Sequence, residues 1–154
     1  QHDYDPSTAI TAQQAGCRAT ITATDIDQTI LAQASAATYR ESELSGVSPE
    51  LVNLGFARTP AGYQVTRKIR EMVTFQHLNL HAAWPFDTKF DVIFCRNVVI
   101  YFDDATQEKV WKRFTPLMTP GATLYIGHSE RVSGPASAQL QTCGLTAYKT
   151  AGSL

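Results

Sequence analysis

The chain has 154 residues, 44% of them apolar, and a formal net charge of −1 at pH 7. This length and composition predict one soluble globular domain. The near-neutral charge gives no basic footprint for nucleic acid, and no apolar run approaches the roughly 18 residues of a membrane span. The polar start also lacks the layout of a signal peptide. We therefore expect a cytoplasmic protein without nucleic-acid partners and without membrane insertion.

The first regular pattern is a strand, an acidic turn and a helix. Residues 19–27, ATITATDID, form a β-branched run that ends in two aspartates, and QTILAQASAATY then carries apolar residues at helical spacing. Asp27 is placed to cap this helix, because its carboxylate can accept hydrogen bonds from N–H groups of the first turn. Asp25 is then left without a structural role.

The sequence pattern changes in the middle of the chain, residues 45–72. A short segment that can begin a helix comes first. In the ARTPAGYQVTRKIREMV that follows, apolar and polar residues alternate around a Pro-Ala-Gly turn, which predicts a small inserted hairpin.

Strands and helices then alternate again. We predict strands over 73–78, 90–95 and 123–126 and in the closing GLTAYKT, and a helix over 104–118 capped by Asp104 with Gln107. Such alternation is typical of an α/β fold with a mostly parallel sheet.

Polar side chains follow three of the predicted strands. Asp25 ends the first, Asn79 lies in the LNL that ends the second, and Arg96 with Asn97 follows FDVIFC. Parallel sheets bind ligands beyond the carboxyl ends of their strands, and a carboxylate there can accept from both hydroxyls of a ribose. These residues, with Tyr101 close behind, therefore predict a nucleoside pocket.

Each of these residues also has a purely structural interpretation. Asp25 could form a turn, Arg96 could satisfy backbone carbonyls, Asn97 could shape the turn and Tyr101 could belong to the core. Spacing and composition alone leave these alternatives open.

Histidines and cysteines give no strong metal or redox signal. His77 and His81 are four residues apart but lack nearby cysteine or acidic partners, so we predict no metal site. Cys17, Cys95 and Cys143 are odd in number, widely spaced and without a CxxC pair. We expect reduced, mostly buried thiols.

Several motifs occur in the order seen in CheR-type chemotaxis receptor methyltransferases. They run from about residue 19 to the end of the chain: ATDID, YRESEL, FQHLNL, FDVIFCRNVVIYFD, PLMTPGATLYIGHSE and LTAYKT. The chain thus resembles the catalytic domain of that family over residues 1–154, with its small antiparallel β-subdomain at 45–72. The resemblance implies a Rossmann-like methyltransferase sheet. It also implies methyl transfer from S-adenosyl-L-methionine to glutamates of chemoreceptor cytoplasmic domains, with S-adenosyl-L-homocysteine as product.

The resemblance also implies roles for individual positions. Asp25 would hold the ribose, Asn79 with Leu80 would line the adenine, and Arg96 with Asn97 would border the cofactor. Arg96 and Tyr101 would lie near the transferred methyl group. Because a glutamate carboxylate is already ionised at neutral pH, it needs no general base, and we expect these two residues to orient it.

The sequence departs from the family at its start. The helical N-terminal domain and the first strand, with its GEEPYS-type motif, have no clear counterpart, although Asp5 and Pro6 could stand where Glu-Pro stands. That strand is central in the family's sheet, so the strands at 20–24 and 91–94 should lack a ladder partner. A fragment of a longer chain, a homo-oligomer whose second protomer supplies the strand, or a remodelled segment would each explain this. We favour a fragment.

Two other functions stay open. A non-catalytic module could keep the CheR-like surface for receptor or partner binding after losing the cofactor. A small-molecule methyltransferase is a weaker alternative, because the CRNVVIYF match is specific. Within the resemblance, the short RTPAG turn favours receptor recognition that does not depend on a receptor tail.

Overall fold

The computed structural model describes residues 7–16 and 19–151 and divides into two compact units, Gln1–Asn79 and Leu80–Leu154. Asp5, Pro6 and Cys17, singled out above, lie outside the described residues. Within the described ranges, no helix combines the length and the apolar character needed to cross a membrane.

Helices and short strands alternate in the first unit. In chain order its elements are α1 (Ser7–Gln14), β1 (Ile21–Asp25), α2 (Gln28–Ala36), β2 (Thr38–Tyr39), a 3-10 turn (Glu41–Leu44), α3 (Pro49–Gly55), β3 (Phe56–Thr59), β4 (Gly62–Val65), α4 (Arg67–Arg70) and β5 (Val73–His77). The core of this unit is formed by Ala9, Ile10, Ala37, Leu44, Phe56, Val65 and Ile69.

A four-stranded sheet organises the second unit. Its elements are β6 (Phe90–Cys95), a 3-10 turn (Val99–Tyr101), α5 (Asp104–Phe114), a 3-10 turn (Thr115–Leu117), β7 (Met118–Ile126), a 3-10 turn (Gly134–Ala138), β8 (Leu140–Gly144) and β9 (Ala147–Thr150). The largest side chains of its core are Trp111, Phe114, Met118, Leu124, Ile126 and Tyr148.

The predicted strand, acidic turn and helix at the start of the chain are confirmed. Asp27 caps α2, because its carboxylate accepts from the backbone N–H groups of Thr29 at 2.7 Å and Ile30 at 3.4 Å. β1 pairs in parallel with β5, with Asp25 opposite His77 at the end of the ladder. The carboxyl ends of these two strands therefore lie side by side.

The predicted hairpin is also present. β3 and β4 pair antiparallel, and the turn closes at Gly62, where φ is 128° and a Cβ would collide with the carbonyl oxygen of Tyr39. β2 pairs with the other edge of β4, so the three-stranded sheet already begins at Thr38, before residue 45. The proposed extents of the subdomain and of the catalytic domain stay predictions.

The prediction that the apolar-polar alternation of the hairpin continues past Val65 is wrong. Arg67–Arg70 form a helical turn, and the Nε of Arg67 lies 2.7 Å from a carboxylate oxygen of Glu71, four residues on. Residues at that spacing lie on the same face of a helix, so the pair is compatible with a helix and not with a strand.

The sheet of the second unit has the strand order β6-β7-β9-β8. β6 and β7 are parallel, whereas β9 runs antiparallel to both β7 and β8. β8 was not predicted, because only Leu140 of its five residues is buried and the segment lacks a clear apolar alternation.

Two predicted details of α5 are wrong. The helix ends at Phe114 instead of residue 118, because Pro116 has no N–H to donate to the carbonyl of Lys112, which accepts from the Thr115 hydroxyl at 3.0 Å instead. Its N-cap is Asp103 rather than Asp104: the Asp103 carboxylate accepts from the N–H of Thr106 at 2.8 Å.

One edge of β1 and one edge of β6 are unpaired in the described part of the chain. Among the described residues, β1 pairs with β5 alone and β6 pairs with β7 alone. Each of these strands has one ladder partner, and the expectation that its other edge lacks one stays a prediction. On β6 this edge lies next to an apolar surface, because Val92 is 46% exposed and Phe94 is 58% exposed, with the Phe94 ring stacked on Tyr125 at 5.0 Å.

Truncation of a buried leucine and of an exposed leucine in the second unit should have different effects on the free energy of unfolding. Leu124→Ala removes a fully buried side chain of β7 and should lower the free energy of unfolding by about 2 to 5 kcal/mol. Leu145→Ala is the matched control, because Leu145 is 78% exposed and its truncation should change stability by no more than about 0.5 kcal/mol. Urea denaturation followed by circular dichroism measures both, and equal losses would contradict this core.

Candidate functional site

Asp25 lies at the carboxyl end of β1 and is half-buried. Its Oδ1 accepts a hydrogen bond from the backbone N–H of Asp27 at 2.8 Å, so the expectation that it has no structural role is wrong. The local bond fixes the carboxylate in a tight turn and uses one oxygen. Its Oδ2 has no hydrogen-bond partner among the described residues and can accept from a ligand.

Asn79 lies at the same edge of the first unit. The backbone N–H of Leu78 donates to the carbonyl oxygen of Asp25 at 2.9 Å, which ties the chain after β5 to the end of β1. Asn79 follows directly and is half-buried. The first unit therefore brings Asp25 and Asn79 together, as the sequence predicts.

Leu80 begins the second unit. Its side chain packs against the core of that unit, and its carbonyl oxygen accepts from Arg113 at 2.8 Å and from the Trp84 indole at 3.2 Å. The Arg113 guanidinium also lies over the Trp84 ring, 4.1 Å from its centroid. These contacts fix the backbone at Leu80.

Arg96, Asn97 and Tyr101 follow β6, at the edge where parallel β6 and β7 both end. All three are exposed, and Tyr101 is 77% exposed, which rules out the alternative that it belongs to the core. Among the described residues, the Arg96 guanidinium makes no hydrogen bond, so the alternative that it satisfies backbone carbonyls is also unsupported. Asn97 has a φ of 58°, a left-handed conformation that asparagine tolerates better than most residues.

One site residue was missed from the sequence. Glu130, in the GHSE segment after β7, is 1% exposed, and its carboxylate accepts backbone N–H groups from the turn that carries Asn97. Its position three residues past a glycine at a strand end is the only local signal. Its main partners lie more than 30 residues earlier in the chain.

His81 makes an aromatic contact, and the two described cysteines differ in burial. The His81 ring packs against Phe102 at 4.6 Å. Where the structure describes the chain, it shows no cluster of three metal-ligating side chains. Cys95 is buried as expected, whereas Cys143 is exposed; because Cys17 lies outside the described residues, the expectation of mostly buried thiols stays a prediction. Burial, and secondarily the nearby charge of Glu130, raises the pKa of the Cys95 thiol to about 12.

Thiol labelling should distinguish these two cysteines. Because the thiolate is the nucleophile, iodoacetamide at pH 8 should alkylate Cys143 within minutes and leave Cys95 unmodified until the chain is unfolded. Mass spectrometry of the peptides measures both. Comparable labelling of both cysteines would contradict the burial.

The pH dependence of stability follows from the same raised pKa. The folded protein holds the Cys95 proton more tightly than the unfolded chain, so the contribution of this proton to the free energy of unfolding is complete below about pH 9 and is lost as the pH rises towards 12.

Comparison with solved structures identifies the class of fold. The crystal structure of N-methyltransferase NodS from Bradyrhizobium japonicum WM9 is similar, with a TM-score of 0.51 at 12% sequence identity. The likeness covers 92% of this chain and 79% of NodS. The predicted class, a Rossmann-like methyltransferase fold, is therefore confirmed.

The family follows from sequence. Residues 7–149 match the family model described as CheR methyltransferase, SAM binding domain. The "Probable chemotaxis protein methyltransferase" of Rhizobium etli is 50% identical over 133 residues, which is 84% of this chain and 50% of that protein. The chemotaxis protein methyltransferase of Klebsiella aerogenes is 44% identical over 116 residues, 72% of this chain and 40% of that protein. The chain belongs to the CheR methyltransferase family, and it spans about half the length of the curated relatives it matches.

Proposed function

We propose that this chain binds S-adenosyl-L-methionine and forms the catalytic part of a methyltransferase. Its substrates would be glutamate side chains in the cytoplasmic domains of chemoreceptors, which places its action in the cytoplasm. Membership of the CheR family supports the reaction class. The observation that carries the proposal is the Asp25 carboxylate, which is fixed and half-buried at the end of a parallel strand. Its Oδ2 has no hydrogen-bond partner among the described residues.

The residues present fit the cofactor. Asp25 offers acceptor oxygens for a ribose diol, and Asn79, at the same edge, has an amide that can both donate to and accept from an adenine. In the second unit, Leu80 offers an apolar side chain, while Arg96 and Asn97 offer donors at the end of β6. When bound, the cofactor would supply a methyl group activated by a sulfonium charge.

The chain's own contribution would be positioning. A glutamate carboxylate with an ordinary pKa near 4.3 is ionised at neutral pH, so no residue has to remove a proton from it. The exposed Arg96 guanidinium and Tyr101 hydroxyl can donate hydrogen bonds to such a carboxylate and hold it in line. Neither side chain is required to change its protonation state.

Cofactor binding should depend on the Asp25 carboxylate. Asp25→Asn keeps an oxygen for the Asp27 N–H but presents an amide donor in place of the free oxygen, so affinity for S-adenosyl-L-homocysteine should fall about 10-fold or more. Asp27→Asn is the matched control, since asparagine caps helices as well as aspartate and the affinity should stay unchanged. Calorimetric titration measures both variants against the unaltered protein. Equal affinities for the two variants would remove Asp25 from the site.

A second candidate is a receptor-binding or partner-binding module without catalysis. The exposed apolar surface of β6 favours it, because Val92 is 46% exposed and Phe94 is 58% exposed, and such a surface can bind a partner. Folded protein that binds a receptor domain saturably but gives no calorimetric signal with S-adenosyl-L-homocysteine would decide for the module. Methylation of free carboxylic acids in preference to a receptor domain would instead point to a small-molecule enzyme.

The rate of receptor methylation should be insensitive to pH. Because the nucleophile is already ionised and no enzymatic base is needed, kcat/KM should stay constant from about pH 6 to 9.

Tyr101→Phe removes the orienting hydroxyl and should lower kcat about 10-fold or more. Tyr125→Phe, an exposed tyrosine of β7, should leave kcat unchanged. Transfer of a radiolabelled methyl group to a receptor cytoplasmic domain gives these values, and a bell-shaped profile would indicate general-base catalysis.

A further inference from the structure

Glu130 is the one charged side chain that is fully buried among the described residues, with 1% of its surface exposed. Its two carboxylate oxygens accept four backbone hydrogen bonds. Oε2 accepts from the N–H of Gly127 at 2.6 Å and of Asn97 at 3.1 Å, and Oε1 accepts from Val98 at 2.9 Å and Val99 at 2.8 Å. An ionised carboxylate only accepts hydrogen bonds, which matches a site made of donors alone.

The bonds to Asn97, Val98 and Val99 determine the conformation of the segment after β6. Three consecutive N–H groups can point at one carboxylate only if the chain turns sharply, and Asn97 does so with a φ of 58°. The chain then continues into the 3-10 turn, where the N–H of Phe102 bonds to the carbonyl of Val99 at 3.0 Å. Tyr101 lies within this turn, so its position depends on the same carboxylate.

Gly127 completes the arrangement. A Cβ at this position would collide with the Asn97 side chain and would lie 2.8 Å from both the Asn97 nitrogen and the Glu130 Oε2. Backbone atoms cannot yield as a flexible side chain can, so the segment after β7 has to approach the segment after β6 without a side chain between them. The close approach of these two segments therefore requires both the Glu130 carboxylate and the absence of a side chain at Gly127.

Neither oxygen of Glu130 is available to a substrate. Both are buried, and each already accepts two hydrogen bonds. The adjacent Cys95 stays protonated, because burial and the Glu130 charge raise the pKa of its thiol to about 12. Glu130 thus acts on the site only through the backbone that it holds.

We infer that Glu130 is a positioning residue, whose buried carboxylate sets the backbone from which Arg96, Asn97 and Tyr101 project. The inference rests on the proposed function, since it assigns a task to those three residues. A glutamine at this position has one acceptor oxygen and one NH2 donor. Whichever way its amide is turned, two of the four backbone N–H groups lose their acceptor and face another donor.

Amide hydrogen exchange tests the structural part of this inference without requiring activity. In Glu130→Gln, the amides of Val98 and Val99 or those of Asn97 and Gly127 should exchange at least about 10-fold faster than in the unaltered protein. The Leu78 amide, which bonds to Asp25 in the first unit, should keep its rate. Glu50→Gln removes the same charge from an exposed site on α3 and should leave every one of these rates unchanged.

Kinetics test the functional part. Active sites are counted by titration with S-adenosyl-L-homocysteine, so that loss of folded protein does not count as loss of rate. Per counted site, Glu130→Gln should lower kcat for receptor methylation about 10-fold or more, and Glu50→Gln should not lower it. If Glu130→Gln does not fold, Glu130→Asp, which keeps the charge but is one methylene shorter, takes its place in both measurements.

Three results would overturn the inference. Unchanged exchange at residues 97–99 in the Glu130 variant would mean that the carboxylate does not hold the segment. Faster exchange with an unchanged kcat per site would mean that it holds the segment without positioning the site. If the unaltered protein neither binds S-adenosyl-L-homocysteine nor methylates a receptor domain, the proposed function fails and the positioning role fails with it. The exchange rates then still report whether Glu130 holds the backbone.

Discussion

Parallel strand pairing is the interaction on which the candidate site residues depend. When two strands run in the same direction, their carboxyl ends meet at one edge, and the side chains that follow them become neighbours. The β1-β5 pair does this for Asp25 and Asn79 in the first unit. The β6-β7 pair does it for the segment after Cys95 and the segment after Ile126 in the second. A register slip in either ladder would move these side chains away from each other.

The buried carboxylate of Glu130 extends this principle beyond the ladder. Backbone pairing between β6 and β7 ends at Cys95 and Ile126, yet the chains beyond these residues remain joined by three charge-assisted hydrogen bonds, from the N–H groups of Asn97, Val98 and Val99 to the Glu130 carboxylate. Burying a charge is costly unless it is fully hydrogen-bonded, so the arrangement is stable only as a complete set. The polar segment after β6 is thereby tied to the segment after β7.

Features fixed by local physics could be predicted from the sequence, and features fixed by distant contacts could not. Phe90–Cys95 was predicted with its observed bounds, because a short apolar run with polar residues after it leaves few alternatives. The Asp27 cap follows from its spacing to the helix. The shift of the α5 cap from Asp104 to Asp103 is a choice between adjacent aspartates that depends on the turn before it. Glu130 was missed because its partners lie across the sheet, and β8 because its pairing with β9 supplies the order that its own residues do not.

The two tryptophans have a practical consequence for optical measurements. The chain has two tryptophans, Trp84 and Trp111, and both lie in the second unit. Trp111 is fully buried, while Trp84 lies beneath the Arg113 guanidinium. Intrinsic fluorescence excited at the red edge of the indole band will therefore report on the second unit alone and stay silent about the first. Melting curves recorded by fluorescence and by backbone absorption will coincide only if the two units unfold as one cooperative system.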